Sequence, residues 1–208
     1  MEQVLPTDIV VDEHRGTPVP ATLFPEEEAA VARAVPARRA EYAAVRSCAR
    51  VALTRLGVGP VAVPSGPDRA PVWPGGVVGS MTHCDGYRAA AVAHDDVWAG
   101  LGIDAEVLAP LPSETVSLIM SETERAALAD LDPRICPDRV LFSAKESVYK
   151  VWSPAVHSWL GFEHVDVRLG DGTFTARLLV RGLGTDVLHG RWAVGDGLVV
   201  TAVALARA

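Results

Sequence analysis

The order of strand-forming and helix-forming segments constrains the fold of this chain more than any other feature. Two runs rich in strand formers, Tyr87–His94 and Val97–Ile103, flank Asp95-Asp96, and this pattern predicts a hairpin. In the second half of the chain, GRWAVGDGLVVTAVAL loosely resembles YRAAAVAHDDVWAGLGID of the first half. An internal duplication would explain this likeness, and so would the general similarity of hairpins. The pattern predicts an α+β fold with two halves that meet near residue 103.

Three segments have the composition and the boundaries of helices. The first is predicted from Ala37 to Leu56, and the second from Ser113 to Leu131. Within the second, Ser121 and Glu124 have the spacing of a capping box. The third begins at Pro137 and is expected to stop at Ser153-Pro154. Its apolar residues recur with the spacing of one buried face: Leu141, Ala144, Val148 and Val151. Four predicted strands follow: Phe162–Leu169, Phe174–Val180, Arg191–Val194 and Leu198–Leu205.

The charge and the composition narrow the function. The 208 residues include 19 basic and 26 acidic side chains, a formal charge of −7 without a basic stripe, which argues against nucleic acid as a partner. No apolar run approaches the ~20 residues that span a bilayer, and the first residues do not resemble a signal peptide. The three cysteines are scattered, as in a cytoplasmic protein with reduced thiols. We therefore expect a cytoplasmic protein that does not act at a membrane.

Lysine is rare in this chain and confined to one motif. Only two of the 19 basic residues are lysines, and both lie in FSAKESVYK as Lys145 and Lys150, with Glu146 between them. A compact ammonium is retained where a planar guanidinium does not replace it. A surface Glu–Lys pair at i, i+4 is the ordinary explanation for Glu146 and Lys150. That explanation leaves open why both lysines of the chain lie here.

A pair of acidic residues ends a predicted strand in GIDAE. Asp104 and Glu106 are two residues apart, so they project from the same face. Adjacent carboxylates repel each other unless a cation lies between them, and Mg²⁺ or Mn²⁺ is the usual cation for oxygen ligands. A solvated strand end would explain this pair alone. With Glu146 as a third acid beside two lysines, the set is typical of a site that neutralises a polyphosphate.

Two polar residues in GSMTHC lie just ahead of the first predicted hairpin. Thr82 and His83 are placed to hold a phosphate or to contact a nucleotide. A structural role for a single histidine is the alternative. A Cys–His nucleophile formed by His83 and Cys84 is disfavoured, because neighbours on an extended chain point to opposite faces.

Three motifs together resemble those of the 4′-phosphopantetheinyl transferases: GSMTHC, GIDAE and FSAKESVYK occur in the order and at the spacing of that family. The resemblance covers residues 35 to 165, and the length is similar to the large class that serves nonribosomal peptide, polyketide, siderophore and often fatty-acid synthases. It implies a monomer of two similar α+β lobes with pseudo-twofold symmetry and an active site at the lobe interface. The lobes would be residues 1–103, with the coenzyme A contacts, and 104–208, with the metal site and the Lys-Glu helix.

The resemblance also implies a reaction. Members of this family transfer the 4′-phosphopantetheine arm of coenzyme A to a serine of an apo acyl or peptidyl carrier protein and release adenosine 3′,5′-bisphosphate. By this resemblance Asp104, Glu106 and Glu146 bind Mg²⁺, with Mn²⁺ as an alternative, and Asp104 borders the coenzyme. Glu146 also takes the proton of the serine. Lys150 neutralises charge on the phosphates during transfer, and Lys145 lies close to the same group.

The remaining coenzyme contacts implied by the resemblance come from the first half of the chain. Thr82 and His83 contact its phosphates, and arginines of the first long helix meet the 3′-phosphate. The family pattern favours Arg38 and Arg46, with Arg69 as a further basic position in the following loop. Helical periodicity instead places Arg39, Arg46 and Arg50 near one stripe, so the partner of Arg46 stays open.

Two other functions are compatible with the same residues. A divalent-metal nucleotide pyrophosphohydrolase would share the carboxylates but transfer to water. A non-catalytic module that binds coenzyme A or carrier proteins would not require three acids and a lysine together. For the docking of an acidic carrier protein we predict the segment Val107–Cys136, although its leucines are equally compatible with an ordinary core.

Overall fold

The predicted α+β class is confirmed. A computed structural model describes residues 1–18 and 21–207. The helices are Pro25–Glu28 (α1), Pro36–Arg55 (α2), Ser113–Ile119 (α3), Glu122–Leu128 (α4) and Pro137–Val156 (α5). The strands are Val10–Arg15 (β1), Val77–Cys84 (β2), Tyr87–His94 (β3), Trp98–Val107 (β4), Val165–Leu169 (β5), Thr173–Leu178 (β6), Val187–Gly195 (β7) and Leu198–Ala206 (β8). Short 3₁₀ turns lie at Glu2–Val4, Ala29–Val31, Pro133–Ile135 and Phe162–His164.

The strands form two antiparallel sheets. The first has the order β1-β3-β2 and the second the order β4-β8-β7-β6-β5. The predicted hairpin around Asp95-Asp96 is wrong, because β3 pairs with β1 and β2 whereas β4 pairs with β8. The acidic turn therefore carries the chain from one sheet to the other. The true hairpin joins β2 to β3 at Asp85-Gly86, where Gly86 has a φ of +69°, the left-handed conformation that glycine adopts at no steric cost.

This topology moves the predicted lobe boundary. Residues 98–103 were assigned to the first lobe, but they belong to β4 and to the second sheet. A division at residue 103 would cut that strand. The division into two lobes stays a prediction, with its boundary at the Asp95-Asp96 crossing, and so does the pseudo-twofold relation between them.

Each sheet is covered by one helix of 20 residues. Helix α2 buries small and aliphatic residues, among them Ala49 and Leu53, against Ala90 and Val92 of β3. Helix α5 covers the second sheet with the predicted stripe, which is confirmed as buried: Leu141, Ala144, Val148 and Val151. Burial of apolar surface at ~25 cal/mol per Å² is the main force that holds each helix on its sheet.

The boundaries of α5 follow from local chemistry. Pro137 occupies the first turn, where a missing N–H costs no hydrogen bond. The helix continues through Pro154 to Val156, beyond the predicted stop. It ends at His157, which has left-handed backbone angles and donates its N–H to the carbonyl of Ser153. The capping box of Ser121 and Glu124 is confirmed, but it begins a second helix, α4, rather than continuing one long helix.

The two sheets meet where β2 runs beside β4. Side chains of β2 take the place of a regular ladder there. The Ser80 hydroxyl accepts the N–H of Ile103 at 3.0 Å, and the Thr82 hydroxyl accepts the N–H of Ala105 at 3.1 Å. Both hydroxyls are buried, so each one satisfies a backbone donor that would otherwise be unpaired. No helix in the described residues is long and apolar enough to cross a membrane.

Candidate active site

A cleft of about 430 Å³ opens beside the β2–β4 junction, with one wall from each half of the chain. We call it the interlobe cleft. It brings together six of the predicted site residues: Arg46, Arg69, Thr82, His83, Glu146 and Lys150. Residues from a loop, two helices and a strand, separated by up to 104 positions, thus line one cleft.

Lys150 lies at the floor of the interlobe cleft. Its ammonium donates to Asp104 Oδ1 at 2.8 Å and to the carbonyl oxygen of Ile103 at 2.9 Å. The side chain is about a quarter exposed, so one face of the ammonium is open to the cleft. An ammonium has three donors, and these two contacts leave capacity for an anionic ligand.

Asp104 is held from three directions. Besides Lys150, it accepts hydrogen bonds from Thr82 Oγ1 at 3.2 Å and from Ser143 Oγ at 2.8 Å. It is only 5% exposed and lies beneath the cleft rather than in its wall, so a direct contact with a coenzyme stays a prediction. The carboxylate instead fixes the positions of Thr82 and Lys150, both of which do line the cleft.

Close approach of β4 to α5 makes this arrangement possible. A Cβ at Gly102 would lie 1.9 Å from the carbonyl oxygen of Ser147, where no side chain fits. Gly102 therefore lets the strand that carries Asp104 lie directly against the helix that carries Glu146 and Lys150. Below this point Thr201 Oγ1 of β8 donates to the carbonyl of Ser143 at 2.8 Å.

The other two carboxylates differ in their surroundings. Glu106 accepts a hydrogen bond from Arg139 at 2.9 Å, yet burial and the nearby Asp104 raise its pKa above the ordinary value. Glu146 lines the cleft and forms no hydrogen bond or ion pair with another described side chain. Burial, followed by the charge of Asp104, raises the pKa of Glu146 as well.

The predicted metal site is thus only partly formed. Burial is the main cause of each raised pKa, and the negative charge of Asp104 is the second. A cation would relieve the repulsion from Asp104, and carboxylate oxygens are the donors that Mg²⁺ prefers. The chemistry of the donors therefore fits such an ion. In the described ranges, however, no group of three or more acidic, histidine or cysteine side chains is arranged to hold a metal. Lys150 and Arg139 instead neutralise Asp104 and Glu106.

Lys145 does not lie with the phosphate-facing residues. Its side chain is 2% exposed, and its ammonium donates to Glu124 Oε2 at 2.9 Å and to the carbonyls of Ile119 and Phe162. The prediction that Lys145 lies close to the same phosphate group as Lys150 is wrong for this structure. Five residues at about 100° each place Lys145 about 140° around the helix axis from Lys150, so Lys145 points to a different face.

Three arginines meet at the outer end of the interlobe cleft. Arg38, Arg46 and Arg69 line an adjoining cavity of about 540 Å³, the arginine cavity, together with Tyr42 and Ser65. Arg46 is held in place by hydrogen bonds to Ser65 Oγ at 3.0 Å and to the carbonyl of Val63 at 3.3 Å, and it lies over the ring of Tyr42. Burial lowers the pKa of Arg46 from its ordinary high value.

The three candidate partners of Arg46 lie in different surroundings. Arg39 pairs with Glu28, and Arg50 pairs with Glu27, so both point away from the cleft. Arg38 pairs with Glu41 at 3.5 Å and also approaches His83, with 2.9 Å between Nη1 and Nε2. Desolvation in the cleft and the charge of Arg38 lower the pKa of His83, which favours a neutral ring that accepts from the arginine.

Two family models match the chain in succession. One, described as the N-terminal domain of 4′-phosphopantetheinyl transferases, matches residues 26–93, and a second, described as the 4′-phosphopantetheinyl transferase superfamily, matches residues 100–203. The chain belongs to the 4′-phosphopantetheinyl transferase superfamily.

Curated relatives of this superfamily match over nearly the full length of the chain. The 4′-phosphopantetheinyl transferase Svp of Streptomyces mobaraensis is 51% identical, covering 94% of this chain and 85% of its own length. Npt of Nocardia iowensis is 42% identical over 99% of this chain and 100% of its own length. PptT of Mycobacterium tuberculosis is 41% identical over 95% of this chain and 92% of its own length.

Some residues that build the site were missed in the sequence. Ser143 and Arg139 precede the lysine motif on α5 and hold Asp104 and Glu106. Their spacing from Glu146, three and seven residues, places them near one helical face, and that spacing was the available signal. Ser80 gave no signal, because its partner is a backbone N–H on a strand more than 20 residues away.

Proposed function

We propose that this enzyme transfers the 4′-phosphopantetheine arm of coenzyme A to a serine hydroxyl of an apo acyl or peptidyl carrier protein. Adenosine 3′,5′-bisphosphate is the second product. The observation that carries this proposal is the position of Lys150 and Glu146 in one wall of a cleft that leads to the arginine cavity. Family membership supports the reaction class, and this arrangement supports a 3′-phosphate in the arginine cavity and a pyrophosphate beside Lys150.

The arginine cavity would take the 3′-phosphate. Arg46 is fixed by Ser65 and Val63, so its guanidinium is already in position before a ligand binds. Arg38 and Arg69 add positive charge from two other directions. Planar guanidinium groups suit phosphate recognition because they donate two parallel hydrogen bonds.

The pyrophosphate would lie against Lys150, with Thr82 and His83 lining the same cleft. The serine oxygen attacks the phosphorus that bears the pantetheine arm, and the bond from this phosphorus to the bridging oxygen breaks. The departing bisphosphate takes up the negative charge. Lys150 stabilises that developing charge from a position fixed by Asp104 and Ile103.

Glu146 would accept the proton of the attacking serine. Its raised pKa, caused by burial and by Asp104, makes the carboxylate a stronger base than an exposed glutamate. Since no described side chain pairs with it, its oxygens are available to an incoming hydroxyl.

A divalent metal, Mg²⁺ or Mn²⁺, is proposed as a bound ion. Asp104, Glu106 and Glu146 would hold it, and when bound it would neutralise charge on the pyrophosphate. Lys150 and Arg139 neutralise two of these acids in this structure, so both cations compete with the metal for the same oxygens.

The carrier protein is proposed to bind beside α3. Of the predicted docking leucines and their neighbours, Leu111, Ile119 and Met120 are buried in the core, whereas Leu118 is 78% exposed. Leu179 is also exposed and lines the same groove as Leu118 and Arg177. We further propose that the enzyme is a cytoplasmic monomer that does not bind nucleic acid.

Product analysis tests the function against its alternatives. Coenzyme A and Mg²⁺ are incubated with the enzyme, with and without apo carrier protein, and nucleotide and pantetheine products are separated, with EDTA as the control. Adenosine 3′,5′-bisphosphate that appears only with carrier supports transfer. Free phosphopantetheine without carrier would indicate a pyrophosphohydrolase. Intact coenzyme A with several carrier types would indicate a binding module.

A further inference from the structure

A buried ion pair lies one residue away from Glu146. Lys145 and Glu124 are 2% and 1% exposed, and their charged atoms are 2.9 Å apart. The ammonium of Lys145 uses its other donors on the carbonyl oxygens of Ile119, at 2.8 Å, and Phe162, at 3.0 Å. All three donors are therefore satisfied within the protein, which leaves none for a phosphate.

Glu124 is equally saturated. Its Oε2 also accepts the N–H of Ser121 at 2.8 Å, and its Oε1 accepts the N–H of Val167 at 2.8 Å. The Glu124–Lys145 pair thus ties together α5, the α3–α4 junction, the Phe162 turn and β5. Buried ion pairs add little net stability, because desolvation offsets their attraction, but a fully bonded pair fixes one arrangement of the parts that it joins.

The first half of the chain contains an equivalent buried ion pair. Glu27 is the third residue of α1, as Glu124 is of α4, and it accepts the N–H of Phe24 at 2.9 Å. It also pairs with Arg50 of α2 at 3.0 Å and accepts the N–H of Val63 at 2.9 Å. In each half, a buried glutamate at a short helix start thus joins a cation of the long helix and one distant backbone N–H.

Each pair has a different functional neighbour. The carbonyl of Val63, whose N–H is bound by Glu27, accepts from Arg46 in the arginine cavity. Lys145 directly precedes Glu146, whose carboxylate no described side chain holds. The direction of Glu146 therefore depends on the position of α5, because no hydrogen bond from another described side chain fixes it.

Helix α5 is fixed from two sides at this level. On one side Gly102 of β4 contacts Ser147, and Thr201 of β8 bonds to Ser143. On the other side the Glu124–Lys145 pair is the charged link to the α3–α4 segment. We propose that Lys145 and Glu124 are positioning residues, which hold α5 so that Glu146 points into the interlobe cleft.

The inference rests on the proposed function, because it assigns to Glu146 the proton of the serine. It separates the two lysines of one motif by role: Lys150 contacts the substrate, and Lys145 positions the neighbouring acid. The Glu27–Arg50 pair would act in the same way on Arg46, and it therefore provides a matched control elsewhere in the molecule.

The test compares two neutral double variants, Glu124→Gln with Lys145→Met and Glu27→Gln with Arg50→Met. Each is measured for kcat, for the KM of coenzyme A, for its dissociation constant by calorimetry and for thermal unfolding. Loss of the Glu124–Lys145 pair is expected to lower kcat by about 10- to 100-fold, the effect of a displacement of ~1 Å at a reacting group. Coenzyme affinity is expected to change less than about threefold. Loss of the Glu27–Arg50 pair is expected to weaken coenzyme affinity and to lower kcat less than loss of the Glu124–Lys145 pair does.

Three results would overturn the inference. Weaker coenzyme binding without a loss of kcat in the Glu124–Lys145 variant would assign Lys145 to the phosphates. The same kinetic change in both variants, in proportion to their loss of melting temperature, would show a purely structural role. Wild-type kcat in a folded Glu124–Lys145 variant would show no role. If that variant does not fold, Glu124→Gln alone, which keeps an acceptor for Val167, is measured by the same criteria. Absence of transfer by the unmodified enzyme would refute the proposed function instead.

Discussion

Substitution of Gly102, where β4 contacts α5, is expected to disturb the site through a single added methyl group. In Gly102→Ala, the new methyl group would lie 1.9 Å from the carbonyl oxygen of Ser147. Both partners are backbone in regular elements, so neither rotates out of the way. A normal carbon–oxygen contact requires strand and helix to separate by about 1 Å or more, since the interior is close-packed.

The expected losses of stability and of kcat follow from that displacement. Overpacking of this kind costs about 1–3 kcal/mol of folding free energy. Separation also lengthens the contacts of Lys150 with Asp104 and Ile103, now 2.8 and 2.9 Å. A displacement of ~1 Å at a catalytic group lowers turnover by roughly 100-fold. We therefore expect kcat to fall about 100-fold in a protein that still folds.

Gly100 of the same strand is the matched control. A Cβ there would lie 3.2 Å from Cγ1 of Val151, a side-chain atom that gives way by a few tenths of an ångström. Gly100→Ala is expected to retain most of the activity. Arm transfer is measured as initial rate on an apo carrier protein, with thermal unfolding in parallel. Equal activity of the two alanine variants would show that close contact between β4 and α5 at Gly102 is not required for transfer.

Three further predictions concern individual side chains. Lys150→Met is expected to lower kcat by about 100- to 1,000-fold with a smaller change in KM, as for loss of one electrostatic group; unchanged kcat would contradict its role. Arg46→Ala is expected to raise the KM of coenzyme A about 10-fold more than that of its 3′-dephospho form, through loss of a charge-assisted contact, and equal effects would move the 3′-phosphate elsewhere. The pKa of His83 is lowered by desolvation and by Arg38, so below the ordinary value of about 6.5 the unfolded chain binds more protons and the free energy of unfolding falls with falling pH. His83→Gln is expected to flatten this decline in chemical denaturation, and an unchanged slope would show that other groups cause it.

Local patterns predicted the elements better than their partners. Helix α2 was predicted to within one residue at each end, and the buried stripe of α5 was predicted correctly, because helix periodicity is a property of neighbouring residues. The hairpin at Asp95-Asp96 was wrong for the opposite reason. Two apolar strands joined by a short acidic turn show the same local pattern whether or not they pair with each other. Here β3 pairs with β1 and β2, and β4 pairs with β8.

In the candidate site, too, local patterns were predicted better than contacts between distant residues. Spacing predicted that Asp104, Glu146 and Lys150 lie together; in the structure Glu146 and Lys150 line the interlobe cleft, and Asp104 lies beneath it, bonded to Lys150. Spacing did not separate the roles of Lys145 and Lys150, which depend on what each face of α5 meets. For Lys145 that is Glu124, on a helix whose position the sequence does not determine by itself.

Glu146 and Lys150 are proposed to act together in the transfer of the phosphopantetheine arm to a carrier serine. Intact-protein mass spectrometry detects this transfer on an apo carrier protein incubated with the enzyme, coenzyme A and Mg²⁺. We expect a gain of one phosphopantetheine arm per carrier, abolished by EDTA and by Glu146→Ala in a folded enzyme. An unmodified carrier with the wild-type enzyme, or full modification by Glu146→Ala, would contradict it.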